Sequence, residues 1–284
     1  MHWSASLSSF IAQLAQVFLV ILIAPAVVGV TRLVKARLMR RRGAPIRQAY
    51  RDLFKLARKE ALVAESASWF FRSAPYLIFA LTWVAAALVP TFASGLMFSW
   101  AGDVVALVAL LGAARMLLAL AGMDVGTAFG GIGSSREMMI ATFAEPATIL
   151  VVLTVAFTAG TTLLPGVADF LTGQVLAIRV SLALALVSLV IVALAENARI
   201  PVDNPTTHLE LTMVHEAMVL EYSGRHLLMI EAAAHLKLVL YLSLIICLFV
   251  PFGMAPATTA GPLQWVMGAG YYLGKLFIGA ALLG

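Results

Sequence analysis

Apolar runs of roughly 20 residues, the length a helix needs to cross the hydrocarbon core of a bilayer, recur along this chain. Lipid offers the backbone no hydrogen-bond partners, so spanning segments must be helices or a closed barrel. The runs lack the strict alternation of barrel strands, which selects helices. Seven candidate spans follow, at 8–30, 74–92, 104–122, 138–160, 177–195, 233–252 and 263–283. Glu145-Pro146 interrupts the fourth, and a bend is expected there because proline removes a backbone donor.

Composition agrees. The 284 residues are 62% hydrophobic and only 12% charged, against about 25% charged in a soluble domain. The fold class is therefore all-α, a polytopic transmembrane helical bundle forming a single domain over 1–284. The single cysteine, Cys247, and the absence of any CxxC exclude a thiolate cage or an internal disulfide. The N-terminal MHWSASLSSF has no basic region, so the first apolar run reads as a retained span.

The net charge of +5 does not indicate nucleic-acid binding once it is mapped. Twelve of the nineteen lysines and arginines fall in 32–72, and Arg136, Arg199 and Arg225 lie in the next alternate loops. The loops near 93–103, 161–176 and 253–262 hold none. The positive-inside rule then places the N-terminus outside an inner (plasma) membrane, with 31–73, 123–137 and 196–232 cytoplasmic. Within 31–73, TRLVKARLMRRRG sets Leu33, Val34, Leu38 and Met39 among bases, which suits an amphipathic helix at the interface. Such a segment can anchor on anionic lipid or dock a cytoplasmic partner.

Several charges sit where charge is costly. Arg115 lies mid-span, about seven residues or roughly 10 Å from the cytoplasmic end. It must snorkel or find a buried partner, and that depth favours the partner. Glu145 is an intramembrane acid, a proton-relay candidate unless it bonds a carbonyl freed by Pro146. MDVGTAFGGIGSSRE, 123–137, carries Asp124, Arg136 and Glu137. It lacks the third glycine of GxGxxG and the lysine of a phosphate loop, so nucleotide binding is rejected. It reads as a tight turn or a cavity-lining loop, with Ser134 or Ser135 capping a helix that starts at Arg136-Glu137.

The densest cluster is 195–224, AENARIPVDNPTTHLELTMVHEAMVLEYSG. It holds Glu196, Asp203, Glu210, Glu216 and Glu221 with His208, His215 and Arg199. Pro201 and Pro205 stop the preceding helix; Asn204 or Thr206 caps a new one, and Gly224 closes it. Glu221 and Arg225 are spaced for an i,i+4 pair. His215-Glu216 begins an HExxH pattern, but Val219 stands at the second histidine, so no metal is assigned. The apolar residues between these acids are too many for a free loop. A half-buried helix lining a polar cavity fits better, continued by Glu231, His235 and Lys237 and by Lys275.

RRGAPIRQAYRDLFKL (41–56), GMDVGTAF with IGSSRE (122–137), EP (145–146), ENARIPVD (196–203) and LEYSG (220–224) together carry a family resemblance. The chain resembles the membrane subunit shared by respiratory complex I (its subunit 1, or H) and the group 4 membrane-bound nickel–iron hydrogenases. The likeness is closest in the formate hydrogenlyase and hydrogenase-4 branch. It implies a junction subunit with no redox centre of its own. Iron–sulfur clusters, and a nickel–iron centre in a hydrogenase, would belong to hydrophilic large and small subunits. Antiporter-like membrane subunits would be further partners, and quinone a candidate ligand.

The same resemblance places Glu145, Glu196, Glu210 and Glu221 in or near a coupling path, to which the residue reading adds Glu216, His208 and Lys237. Arg136 and Asp203 match cavity positions, joined by Arg115, Asp124, Glu137 and Arg199. Two departures stand out. Thr206 and His208 occupy positions where relatives often have carboxylates, and relatives carry an eighth span. The implied function is coupling of electron transfer in partners to proton or sodium movement. The alternatives are a quinone-site subunit of an NADH:quinone oxidoreductase-type complex, a stand-alone secondary transporter and a purely structural anchor.

Overall fold

The computed structural model describes residues 2–173, 180–199, 214–257 and 261–283. In chain order the helices are α1 (His2–Leu38), α2 (Arg47–Ala57), α3 (Trp69–Leu88), α4 (Val104–Asp124), α5 (Ala128–Ala159), α6 (Leu164–Gly173), α7 (Val180–Glu196), α8 (His215–Val219), α9 (Gly224–Phe249) and α10 (Pro262–Leu282). Each expected span falls on one of them. Among the described residues, α1, α3, α4, α5 and α9 are long and apolar enough to cross a membrane. The outward faces remain apolar, as with Leu22, Leu150 and Phe157, which suits a lipid solvent.

Local chemistry sets the helix ends. Ser68 caps α3 by accepting from Phe70 N (3.1 Å), and Asp103 caps α4 by accepting from Val105 N (2.7 Å). Gly160 ends α5 at φ +72°, the left-handed conformation glycine adopts without penalty. The last carbonyls of α3 meet a buried side chain of α1. Gln16 Nε2 donates to Ala87 O (3.1 Å) and Val89 O (3.0 Å), while its Oε1 accepts from Thr91 N and Oγ1. Four polar groups that lipid cannot satisfy are thereby paired.

At that same end a two-residue parallel pairing joins β1 (Ala93–Ser94) to β2 (Ala255–Pro256). Nearby, Lys275 Nζ donates to Val250 O (2.7 Å) and to Phe252 O. Lys275 thus neutralises the carbonyl end of α9 rather than continuing the polar path suggested by the sequence.

The other end of the bundle carries the basic segment. Here α1 extends through Leu38, so TRLVKARL prolongs the first span instead of forming a separate interfacial helix. The separate amphipathic helix is α2, which lies against α1: Tyr50 Oη donates to Leu22 O (2.6 Å). A smaller apolar core at this end joins Phe71 and Ile78 of α3, Leu118 of α4, Met218 of α8 and Ile230 of α9.

The glycine-rich stretch after Asp124 makes a tight turn over 125–127, where Gly126 stands at φ +75° and its N–H donates to Met123 O (3.1 Å), and the remainder is helix rather than a lining loop. The helix starts at Ala128, capped by Thr127 Oγ1 accepting from Gly130 N, and runs unbroken through Pro146. The glycines serve contact. A Cβ on Gly130 would run into Gly122 O of α4, and one on Gly133 would stand 2.9 Å from Ala217 Cβ of α8. Ser134, expected as a cap, instead donates to Ala119 O (2.8 Å) across the α4–α5 contact. Small interfacial residues let membrane helices approach backbone to backbone.

Candidate functional site

Five charged side chains from four helices converge inside the bundle. Arg115 projects from α4 and is 5% exposed. Its Nε lies 3.3 Å from Glu137 Oε1 and its Nη1 3.6 Å from Glu145 Oε1, both carboxylates on α5. Its Nη2 pairs with Glu196 Oε1 at the end of α7. The second oxygen of Glu196 lies 2.9 Å from Lys237 Nζ of α9. Glu137 and Glu145 are eight residues apart, about two turns, which brackets Arg115 from both sides. A guanidinium suits this place because its rigid fork offers separate nitrogens to separate acids.

An arginine at membrane depth costs about 2.5–3.5 kcal/mol on insertion scales. Here the charge is compensated by three carboxylates, and Glu196 by two bases. The network contains three acids and two bases, so one carboxylate is in excess. Arg115 Nε and Nη1 make no hydrogen bond among the described residues. Their ion pairs at 3.3 and 3.6 Å are longer than charge-assisted hydrogen bonds.

Arg115, Glu137, Glu196 and Lys237 line a cavity of about 110 Å³, closed on its apolar side by residues such as Ile78 and Leu118. A second cavity of about 420 Å³ opens toward the basic end, lined by Arg32, Lys35, Arg199, Glu216, Glu231 and His235. Asn197, Ala198, His215 and Ala234 belong to both walls. These four residues form the boundary between the two cavities.

Arg199 braces the outer cavity. Its Nη1 donates to Leu283 O (2.9 Å) and its Nη2 to Thr31 Oγ1 (3.3 Å), joining α1 to the end of α10. Burial, with Arg32 nearby, holds its pKa below the ordinary guanidinium value. Asp124 accepts from Ser68 N and Oγ, both at 2.8 Å, and so ties the end of α4 to the start of α3. Arg136 sits half-buried beside Glu137 on α5.

Glu216 and Glu221 are exposed. Glu216 still lines the outer cavity, whereas Glu221 lies on the turn between α8 and α9. The i,i+4 geometry expected for Glu221 and Arg225 is lost, because α8 stops at Val219 and Gly224 starts α9 instead of closing a helix. Asp203, His208 and Glu210, with the prolines and caps around them, lie outside the described residues.

The LEYSG motif acts as a clasp. Ser223 Oγ accepts from Leu62 N (2.8 Å) and donates to Leu62 O (2.9 Å). Gly224, at φ +51°, leaves room for Glu60 O, which a Cβ would strike. Tyr222 stacks on Phe71 with ring centroids 4.0 Å apart and donates to Phe71 O (3.1 Å). Burial, then the Asp124 carboxylate, pushes the Tyr222 hydroxyl well above its usual range, so it remains a donor.

Sequence reasoning passed over Asn197, although it stands inside ENARIPVD, and assigned no role to His215 once HExxH failed. Both residues stand in the wall common to the two cavities. Among the described residues no group of three or more His, Cys, Asp or Glu is placed to hold a metal ion.

Comparison with known proteins extends this picture. The family model described as NADH dehydrogenase matches residues 11–282. Formate hydrogenlyase subunit 4 of Escherichia coli (strain K12) is 31% identical over 90% of this chain and 82% of its own. Hydrogenase-4 component C of the same organism is 33% identical over 86% of this chain and 76% of its own. Among solved structures, that of the membrane-bound sulfane sulfur reductase, an archaeal respiratory membrane complex, contains a chain of the same fold. The TM-score is 0.79 at 19% identity, covering 96% of this chain and 89% of that one. With a family match over nearly its whole length and two relatives above 30% identity, the chain belongs to the NADH dehydrogenase family, in which its motifs had already placed it by resemblance.

Proposed function

We propose that this chain is the membrane-anchoring junction subunit of a complex I-related, group 4 hydrogenase-like oxidoreductase. It couples electron transfer in its partners to proton or sodium translocation across an inner membrane. The observation that carries this reading is the ion-pair network of Arg115, Glu137, Glu145, Glu196 and Lys237. A chain that only anchors others has no need of five converging charges in lipid.

Glu196 is the pivot in this scheme. Its two oxygens are held by different bases, so a change of charge near one base alters its hold on the other. The linked cavities carry such a change inward from the basic end, which faces the cytoplasm. Glu216 lines the outer cavity and Glu145 pairs with Arg115 beyond the inner one; Asp203, His208 and Glu210 join the path by their place in the sequence. Coupling requires an element with two arrangements biased by a ligand or a charge, and the Arg115 fork supplies one. The iron–sulfur clusters, and a nickel–iron centre where hydrogen is the substrate, reside in hydrophilic large and small subunits. Antiporter-like subunits receive the signal in the membrane.

The test uses the assembled complex in sealed vesicles. Glu145→Gln, Glu196→Gln and Glu221→Gln should retain electron transfer at normal complex yield and reduce ion uptake. Full uptake in Glu145→Gln and Glu196→Gln would remove the network from coupling. Hydrogen-dependent against quinone-dependent turnover of the same preparation identifies the electron partner.

A further inference from the structure

The outer face of α2 carries a pattern that the coupling network does not use. Arg47, Tyr50, Arg51, Phe54, Lys55 and Arg58 follow the spacing of one helical stripe, and all six are exposed. The opposite stripe, with Ala49 buried and Leu53 and Leu56 half-buried, meets the bundle, where α2 packs against α1 and α9. The one acid of α2, Asp52, is half-buried on that inner stripe and accepts from Gln48 Nε2 (2.7 Å). The outer stripe is therefore basic and aromatic throughout.

Two contacts fix the depth of α2. Gly29 of α1 lies against the start of α2, where a Cβ would stand 2.8 Å from Ile46 O. Gly29 is within one turn of Arg32, the first lysine or arginine on α1. Tyr50 Oη bonds Leu22 O, about two turns deeper along α1, and the Leu22 side chain there is 68% exposed. The helix thus lies where the apolar span gives way to bases, the level of lipid headgroups. A shallow open pocket of about 720 Å³ runs along its outer stripe. Arg51, Lys55 and Lys59 follow one another at one-turn intervals on one side of it, and Tyr50 and Phe54 stand on the other. The Arg58 guanidinium lies over the Phe54 ring, 4.2 Å from its centroid. Stacking steadies the guanidinium and keeps its N–H donors in plane, directed past the ring.

We infer that this stripe is a binding site for an anionic phospholipid, whose headgroup phosphate is held by Arg51, Lys55 and Arg58 while its acyl chains lie along Tyr50, Phe54 and Leu22. Guanidinium and ammonium groups make charge-assisted hydrogen bonds to phosphate oxygens. A soluble anion would meet the same bases and leave the aromatic side unused. An acidic protein surface would leave Phe54, 59% exposed, and Leu22 without apolar cover. A phospholipid offers both a phosphate and chains, at the depth where α2 lies. The site ties α2, and with it the first span, to the charge of the leaflet. It requires no coupling role and stands apart from the function proposed above.

The test uses the full chain, with the subunits that co-purify, reconstituted in phosphatidylcholine vesicles containing a minor share of phosphatidylglycerol. Phe54→benzoylphenylalanine places a photo-crosslinker on the stripe, and mass spectrometry identifies the adduct. Phosphatidylglycerol should be enriched among the lipid adducts by at least about fivefold over its share, the effect of a single base near an anionic surface. Arg51→Gln with Lys55→Gln, added to the crosslinking chain, should return phosphatidylglycerol to its bulk share. Arg37→Gln with Arg41→Gln, which removes as many bases away from the stripe, should leave the enrichment in place, and inorganic phosphate should not compete. Phosphatidylglycerol at its bulk share in the crosslinking chain itself would overturn the inference. So would unchanged enrichment after loss of Arg51 and Lys55, displacement by inorganic phosphate, or adducts with a protein subunit in place of lipid.

Discussion

Lys237 Nζ and Glu196 Oε2 meet at 2.9 Å inside the bundle, while the other oxygen of Glu196 is held by Arg115. The two bases come from helices far apart in sequence, so a single carboxylate links α4, α7 and α9. Removing Lys237 and removing Glu196 should therefore not be independent events. In a double-mutant cycle with Lys237→Met and Glu196→Gln, the combined loss of thermal stability should fall short of the sum by about 0.5–3 kcal/mol. Strict additivity in the unfolding of the detergent-solubilised protein would show that the contact contributes nothing.

Arg115→Met takes from Glu137 and Glu145 the base they share and leaves Glu196 with Lys237. Breaking a buried pair from one side costs about 3–5 kcal/mol. The variant should show a lowered unfolding temperature or reduced yield of assembled complex. Arg115→Lys should recover only part of the loss, because one ammonium cannot address acids on three sides. Size-exclusion profiles across a temperature series provide the measurement.

Adjacent glycines on α5 should behave in opposite ways. Gly130→Ala drives a methyl into Gly122 O and should push α4 and α5 apart, destabilising the protein. Gly131 has nothing within 4 Å of its hypothetical Cβ. Gly131→Ala should be neutral or stabilising by about 0.5–1 kcal/mol through helix propensity. Thermal unfolding of the two variants side by side decides the matter.

The clasp around residues 60–62 can be opened from one side. Ser223→Ala removes both side-chain bonds to Leu62, and Gly224→Ala adds strain at φ +51° together with a clash on Glu60 O. Hydrogen exchange over 59–63 should quicken in both variants, more so in the glycine one. Unchanged protection there would mean that the segment is held by other contacts.

The sequence carried the spans, because hydropathy in lipid is a nearly sufficient cause of a helix. It also carried the demand that Arg115 find a partner, because the cost of a bare charge is independent of topology. It did not identify which acids answer, since Glu196 lies eighty-one positions away and only folding brings the end of α7 within reach of the Arg115 side chain. Gly130 and Gly133 misled for a physical reason. Their weak helix propensity suggested a loop, but contact with Gly122, Val214 and Ala217 requires residues without side chains in a helix. Lys275 misled differently: a lysine in an apolar run implied a polar path, whereas the carbonyls of Val250 and Phe252 satisfy it locally. Asp203, His208 and Glu210 lie outside the described residues, so the approach from 200 to 213 rests on sequence alone.

The bonds of Gln16 to Ala87, Val89 and Thr91 bear on how such a bundle can move. They lock α1 to the far end of α3, beside the short pairing of Ala93–Ser94 with Ala255–Pro256. Sliding of one helix past the other is blocked there. A displacement of α1 against α3 at the opposite end is then expected to be a swing about this fulcrum, smallest where the glutamine holds and growing past the level of Arg115 toward the basic segment.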